Sequence, residues 1–115
     1  MNLAVDISNS EQYEWGDKCL GWHLLKLPDL SVIQEEVPPG KSEKRHYHSK
    51  GRQFFYILAG CATMEIDGVT TELRAGQGIS VEPGQAHQFK NESILAVQFL
   101  VITAPKIAGD RVDLD

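Results

Sequence analysis

Short apolar segments separated by turn-forming residues make up most of this chain of 115 residues. They predict about nine short strands, at residues 22–27, 31–37, 44–48, 53–59, 61–66, 69–73, 79–81, 87–91 and 95–103. The ten glycines and five prolines fall mostly between them, and Asp67-Gly68 is a strong hairpin signal. This spacing, with no convincing helix, predicts an all-β sandwich or barrel in a single domain spanning 1–115. We expect residues 1–18 to form an arm on the barrel, and the tail from Pro105 to form a coil.

Two of the predicted strands, 53–59 and 95–103, are apolar on both faces. A strand of a lone small barrel has one face in the core and the other towards water. The second apolar face therefore needs a cover, which could be the N-terminal arm or a partner chain. Because the symmetric pair is the commonest oligomer, we expect a homodimer.

Composition limits the classes of partner. Hydrophobic residues make up 42% of the chain, which is typical of a globular protein, and the net charge of −5 makes nucleic acid an unexpected partner. No apolar run approaches the roughly 20 residues of a membrane span. The N-terminus lacks the basic start and apolar stretch of a signal peptide, so we expect a cytoplasmic protein. Cys19 and Cys61 are then expected to be free thiols.

Three of the four histidines fall in a pattern that indicates metal binding. His46 and His48 are two residues apart, so on a strand both side chains point to one face and can chelate one divalent ion. His87 follows the tight turn of Pro83-Gly84, which could lead it into the same site. Gln53, on the next strand, can offer an amide oxygen as a fourth ligand.

The wider spacing around these residues resembles the two motifs of the cupin family, over roughly residues 31–103. The first stretch runs from Gly40 through the two histidines and Gln53 to Gly60, and reads GKSEKRHYHSKGRQFFYILAG. The second stretch reads GQGISVEPGQAHQFKN and contains His87. The resemblance implies a double-stranded β-helix, or jelly-roll barrel, with the motifs at 40–60 and 76–91.

By the same resemblance, the metal-ligand positions are filled by four residues: His46, His48, Gln53 and His87. Turn positions are filled by Gly40, Gly60 and Gly84, and Asn91 helps to fix a loop. The expected cofactor is a divalent transition metal ion, which imidazole ligands alone do not identify among Zn, Ni, Fe, Mn and Cu. The alternative is a cupin whose pocket has lost the metal and only binds a ligand.

The sequence departs from the family pattern at two positions. Gln53 stands where the family usually carries glutamate, so a bound ion would keep its full +2 charge and would attract anionic or enolate-like ligands. An amide also holds hard cations less tightly than a carboxylate does, and it cannot act as a general base. Glu82 stands where the family carries proline, and we interpret it as a solvent-facing turn residue.

The strand parity of neighbouring residues predicts the walls of the pocket. Phe55 and Ile57 share the parity of Gln53 and are expected to line the pocket. Lys44 shares the parity of His46, so it could face the pocket mouth and neutralise an anion, or it could be a solvated lysine at a strand end. His23 lies outside both motifs, and we assign it a structural role.

Three functions are compatible with this chain. The first is a metal-dependent enzyme, of the dioxygenase or sugar-phosphate isomerase type, acting on a small anionic or enolisable metabolite. The second is a non-catalytic module that binds or senses a small ligand. The third, a structural or storage protein, fits less well because such a role does not call for a ligand set. Fold alone does not decide between them.

Overall fold

β-Strands form most of the secondary structure in the computed structural model, which describes residues 2–114. One short 3₁₀ helix, Ile7–Asn9, precedes the strands. The strands are β1 (Glu11–Trp15), β2 (Cys19–Lys26), β3 (Ser31–Val37), β4 (His46–His48), β5 (Arg52–Ala59), β6 (Cys61–Ile66), β7 (Val69–Arg74), β8 (Gly78–Val81), β9 (His87–Lys90), β10 (Val97–Ala104) and β11 (Arg111–Asp113). Within residues 2–114, no helix has the length and apolar character needed to cross a membrane.

The strands form two antiparallel sheets. One sheet has six strands in the order β1-β2-β3-β10-β5-β8, and the other has five in the order β11-β4-β9-β6-β7. Strands that follow each other along the chain therefore often lie in different sheets, as β4 and β5 do. The expected all-β architecture is confirmed.

The hydrophobic core lies between the two sheets. Phe55, Ile57 and Phe99 contribute from the six-stranded sheet, and Met64 and Phe89 from the five-stranded sheet. The rings of Phe89 and Phe99 stack with their centroids 4.0 Å apart. Each of these strands alternates buried and less buried positions, which is the pattern of a sheet with one face in the core.

The turn chemistry follows the sequence closely. Asp67 and Gly68 both have positive φ, 49° and 85°, and join β6 to β7 as the hairpin signal predicts.

Cys19 and Cys61 are both free thiols, as expected. Asn91 fixes a loop, because its side-chain amide donates to the carbonyl oxygens of Val37 and Leu95.

Two segments differ from the prediction. The arm contributes a strand, β1, that extends the six-stranded sheet along β2 instead of lying across the barrel. The tail is not a coil throughout, because β11 pairs with β4, placing Arg111 opposite His48 and Asp113 opposite His46. Both ends of the chain therefore add edge strands, one to each sheet.

Candidate metal centre

His46 and His87 lie next to each other on neighbouring strands of the five-stranded sheet. They are register partners between β4 and β9, and their ring centroids are 4.3 Å apart. Both are deeply buried, with 2% and 0% of their surface exposed. The turn before β9 contains Gly84, which has a φ of 83° and donates its N–H to the carbonyl oxygen of His48. The two sequence motifs thus meet here.

The hydrogen bonds of His46 and His87 define their tautomers. Nδ1 of His46 lies 2.8 Å from the carbonyl oxygen of Lys44, and Nδ1 of His87 lies 3.0 Å from that of Gln85. A carbonyl oxygen only accepts, so each Nδ1 carries the hydrogen and each Nε2 keeps its lone pair. Burial lowers the pKa of His46 to about 3 and also lowers that of His87. Both rings are therefore neutral near pH 7, the form in which imidazole binds metal.

His48 is a third imidazole near this pair, but it does not belong to the group of ligand atoms within 4.8 Å of one another that includes His46 and His87. Its ring centroid lies 5.2 Å from that of His46 and 6.2 Å from that of His87. Burial is the main cause that lowers its pKa. Nδ1 of His48 lies 3.8 Å from Oδ2 of Asp110. Oδ1 of Asp110 accepts a hydrogen bond from the backbone N–H of Lys50, and Oδ2 accepts one from that of Gly51. Asp110 thereby ties the loop that follows His48 to the C-terminal segment.

Gln53 reaches the same region from the opposite sheet. It lies on β5, and its Nε2 donates to Oγ1 of Thr103 at 3.1 Å. Its other terminal atom, Oε1, is buried and has no hydrogen-bond partner among the described residues. The amide is therefore oriented by Thr103 so that its acceptor oxygen remains available.

Glu43 is a further candidate ligand, and the sequence analysis missed it. One potential ligand atom from each of Glu43, His46 and His87 lies within 4.8 Å of the other two. Its Oε1 is 3.9 Å from Nδ1 of His46, the nitrogen that already donates to Lys44, and its Oε2 accepts from the N–H of Phe89. The carboxylate is thus held beside the Nδ1 edge of His46. Burial raises the pKa of Glu43 to about 8.

The donor atoms present fit a transition metal ion. His87 Nε2 and Gln53 Oε1 are both buried acceptors without a hydrogen-bond partner in residues 2–114. Burying such an atom unpaired costs roughly 1–3 kcal/mol, and a cation that accepts both lone pairs removes this cost. Imidazole nitrogen and amide oxygen are donors that Zn, Ni, Fe, Mn and Cu accept.

A cavity of about 330 Å³ opens beside these residues, between the two sheets. Its wall includes His46, His48, Gln53 and Phe55 among the predicted site residues, and does not include His87. The structure differs from the predicted pocket lining at two positions. Ile57 is fully buried in the core and does not line the cavity, and Lys44 is exposed, precedes β4 and also lies outside the lining. Lys44 thus matches the alternative of a solvated lysine.

The cavity also contains an acidic residue that the sequence analysis did not identify. Glu35 lies on β3, and burial raises its pKa to about 7. Oη of Tyr13 donates to Oε2 of Glu35 at 2.8 Å, and burial raises the pKa of Tyr13 as well. The sequence contained a signal for this residue, since Ile33, Glu35 and Val37 lie on the same face of a predicted strand and Glu35 is thus placed between two apolar residues. His23 lies on β2 and packs its ring against Tyr13.

Comparison with known proteins identifies the family. The model of the cupin domain matches residues 33–103. This chain belongs to the cupin domain family. Among characterised relatives, the protein named polyketide synthase CurC from Streptomyces cyaneus is 34% identical over 80 residues, which are 67% of this chain and 52% of that protein. The chain spans about half the length of the curated relatives it matches.

Solved structures with low sequence identity share the fold. The polyketide cyclase RemF from Streptomyces resistomycificus superimposes with a TM-score of 0.85 at 20% identity, covering 100% of this chain and 87% of RemF. A predicted oxalate decarboxylase from Thermotoga maritima gives a TM-score of 0.82 at 20% identity, covering 89% of this chain and 98% of that one. The double-stranded β-helix of the cupins is thereby confirmed.

Proposed function

We propose that this cupin is a metal-dependent enzyme acting on a small anionic or enolisable oxygen compound. In this proposal one divalent transition metal ion is held by Nε2 of His46, His48 and His87, with Oε1 of Gln53 as a weaker fourth ligand. The observation that carries the proposal is the pair of buried, unpartnered acceptors, His87 Nε2 and Gln53 Oε1, beside a cavity. A fully apolar or fully hydrogen-bonded pocket would not need such atoms.

A divalent ion with an open position supplies Lewis acidity, which polarises a carbonyl group or stabilises a developing oxyanion. The residues of the chain determine which molecules suit the site. Three neutral imidazoles and one amide do not compensate the charge of an ion, so an anionic oxygen is favoured. Phe55 and Val101 in the cavity wall exclude water and strengthen this attraction.

The reaction class that these residues support best is proton transfer at a carbon next to a carbonyl group. The cavity wall includes two partly buried carboxyl groups, Glu35 and Glu43, whose raised pKa values of about 7 and 8 suit a proton acceptor and donor near neutral pH. The relatives agree with this class, because a polyketide chain, the material of CurC and RemF by their names, carries enolisable carbonyl groups. Isomerisation and cyclisation both begin with such a step.

A ligand-binding experiment tests the proposal. Isothermal titration would compare oxalate and pyruvate with the neutral analogue glycerol, using metal-loaded protein and protein stripped with EDTA. We expect both anions to bind the loaded protein at least about tenfold more tightly, a difference of about 1.4 kcal/mol, and glycerol to show no preference. Equal binding to both forms would contradict the proposal. Tight metal-dependent binding without turnover of any probe would instead support the ligand-sensing module.

We also propose that two copies associate through the outer face of the six-stranded sheet. Phe54, Tyr56 and Leu58 of β5 remain 40%, 36% and 41% exposed. Leu100 and Ile102 of β10 lie opposite Tyr56 and Phe54, which makes the apolar patch continuous across two strands. Strand β1 of the N-terminal arm pairs at the edge of the sheet beside β2, and β2, β3 and β10 separate it from β5. A second copy is the cover that remains from the two alternatives.

A further inference from the structure

Tyr13, Gly21 and Glu35 form a row across three neighbouring strands. Tyr13 of β1 is the register partner of Gly21 in β2, and Gly21 is in turn the partner of Glu35 in β3. The phenol lies across the strand between them, and its hydroxyl reaches Oε2 of Glu35 at 2.8 Å. A Cβ atom on Gly21 would overlap the Tyr13 ring. Glycine is therefore required at this position for space, so that Tyr13 can reach across β2.

Both members of this pair line the same cavity as three of the proposed metal ligands, His46, His48 and Gln53. Tyr13 and Glu35 come from the six-stranded sheet, whereas His46 and His48 come from the five-stranded sheet. A molecule held at the histidines would thus occupy the space between the sheets that the pair also borders. The hydroxyl of Tyr13 donates its hydrogen bond to Oε2 of Glu35 and leaves Oε1 of the same carboxylate without it.

The surroundings of Glu35 keep its carboxyl group able to gain and lose a proton near neutral pH. Burial raises its pKa to about 7, while the hydrogen bond from Tyr13 and the charges of Arg111 and Lys106 on the C-terminal segment oppose the increase. Glu43, from the segment before β4, borders the same cavity, and Gly21 and Phe99, the register partners on β2 and β10, carry no charge. Tyr13 keeps its proton, because its own pKa is raised, and remains a donor.

We propose that Glu35, oriented by Tyr13, is a catalytic base of this pocket for a substrate with an enolisable carbonyl group. The carboxylate removes a proton from the carbon next to the carbonyl. The C–H bond breaks, its electron pair forms the C=C bond of the enolate, and the proton goes to Oε1 of Glu35. The protonated carboxyl group then returns the proton to carbon. No oxidant or reductant is needed, and the inference rests on the proposed function.

Hydrogen–deuterium exchange tests this assignment without knowledge of the natural substrate. Pyruvate and acetoacetate would serve as probes in D₂O, with loss of their C–H signals followed by NMR. The protein would carry the metal it retains on purification, or Zn²⁺ if it retains none. We expect the wild type to accelerate exchange and E35Q to lose at least about tenfold of that acceleration. Metal content and probe affinity should stay unchanged. E36Q, on the other face of β3, is the matched control and should behave as the wild type.

The pH profile separates a catalytic role from a structural one. The acceleration should rise with pH as Glu35 ionises, with a midpoint below about 7 in the metal-loaded protein, because a nearby cation favours the carboxylate form. Y13F keeps the ring over Gly21 but removes the hydrogen bond that lowers the pKa of Glu35, so its midpoint should move to higher pH. This shift tests the assignment even if E35Q fails to fold.

The outcomes distinguish this inference from the proposed function. Exchange that E35Q leaves unchanged overturns the role of Glu35 alone. Metal-dependent probe binding with no exchange in the wild type overturns the role of Glu35 and supports the ligand-sensing module. A midpoint that Y13F leaves in place also overturns the pairing with Tyr13. Probe binding that does not depend on the metal overturns the proposed function, and the inference with it.

Discussion

His46 and His87 are direct register partners across β4 and β9, and both donate Nδ1–H to the carbonyl oxygen two residues earlier in the chain. The same local arrangement thus occurs in both cupin motifs. It fixes each ring and leaves each Nε2 lone pair free, so the backbone organises two ligands before any ion binds. Proteins commonly hold metal-binding histidines in this way, with the second ring nitrogen bonded to a carbonyl or carboxylate oxygen.

Replacement of His87 by alanine should abolish metal binding. The variant removes a buried Nε2 that has no partner among the described residues. After reconstitution and desalting, we expect elemental analysis to find less than about one tenth of an equivalent of metal in H87A, against about one equivalent in the wild type. H23Q is the control, because His23 lies on β2 against Tyr13, and it should retain the metal. Full occupancy in H87A would remove His87 from the ligand set.

Replacement of Gln53 by glutamate should tighten metal binding while preserving the fold. The side chains are nearly isosteric, and the hydroxyl of Thr103 can donate to a carboxylate in place of accepting from the amide. An anionic oxygen beside a divalent ion should raise the measured affinity by about tenfold or more, most clearly for the hard cation Mn²⁺.

The control for this charge change is Q12E, at an exposed position of β1. It adds the same charge away from the site and should leave the affinity as it is. An unchanged or weaker affinity in Q53E would show that Gln53 does not contact the ion.

A single substitution on the outer face of β5 should separate the proposed dimer. We expect light scattering to give twice the mass of one chain for the wild type at micromolar concentration, and one chain mass for L58E, because a charge would be buried in an apolar contact. V69E carries the same change at an exposed valine of the other sheet and should remain dimeric. A monomeric wild type would refute the interface, and a dimeric L58E would place it on another surface.

The sequence predicts much of this fold because its turns have strong local signals. The hairpin at Asp67-Gly68 is an example, since the required positive φ angles favour these two residue types. The spacing of the first motif also brings Gln53, His46 and His48 to one cavity, and His87 lies beside His46 on the neighbouring strand. The turn-forming residues and the two-residue alternation of side chains along a strand were sufficient to predict these features.

Other parts of the site depend on long-range pairing, which local patterns do not encode. The alternation of side chains along β4 does not extend back to Lys44, because the strand begins only at His46. The segment before it is held by a separate hydrogen bond, from the N–H of Glu43 to the carbonyl oxygen of Phe89. The contact between Tyr13 and Glu35 requires the register of β1 on β2. That register is set by a turn in which Gly16 and Lys18 both have positive φ, and no local rule predicts it.

The stability of the metal-free protein should fall as Glu35 ionises. Its pKa is about 7 in the folded chain against 4.5 in the unfolded chain, so the folded state binds this proton more tightly. The contribution is therefore complete below about pH 4.5 and is lost as the pH rises through about 7. We expect the free energy of unfolding of the wild type, relative to E35Q, to fall by on the order of 2 kcal/mol across this window. Urea unfolding of EDTA-treated protein at several pH values measures this difference.

The matched control for this pH dependence is E36Q, which removes a carboxylate from the opposite face of β3. The difference between the wild type and E36Q should show no comparable decrease over the same window, because Glu36 does not face the cavity. A bound cation near the histidines would favour the carboxylate form of Glu35, so metal loading should shrink the decrease seen in the wild type. A wild-type decrease that persists at full size in E35Q would show that another group, such as Glu43, is responsible.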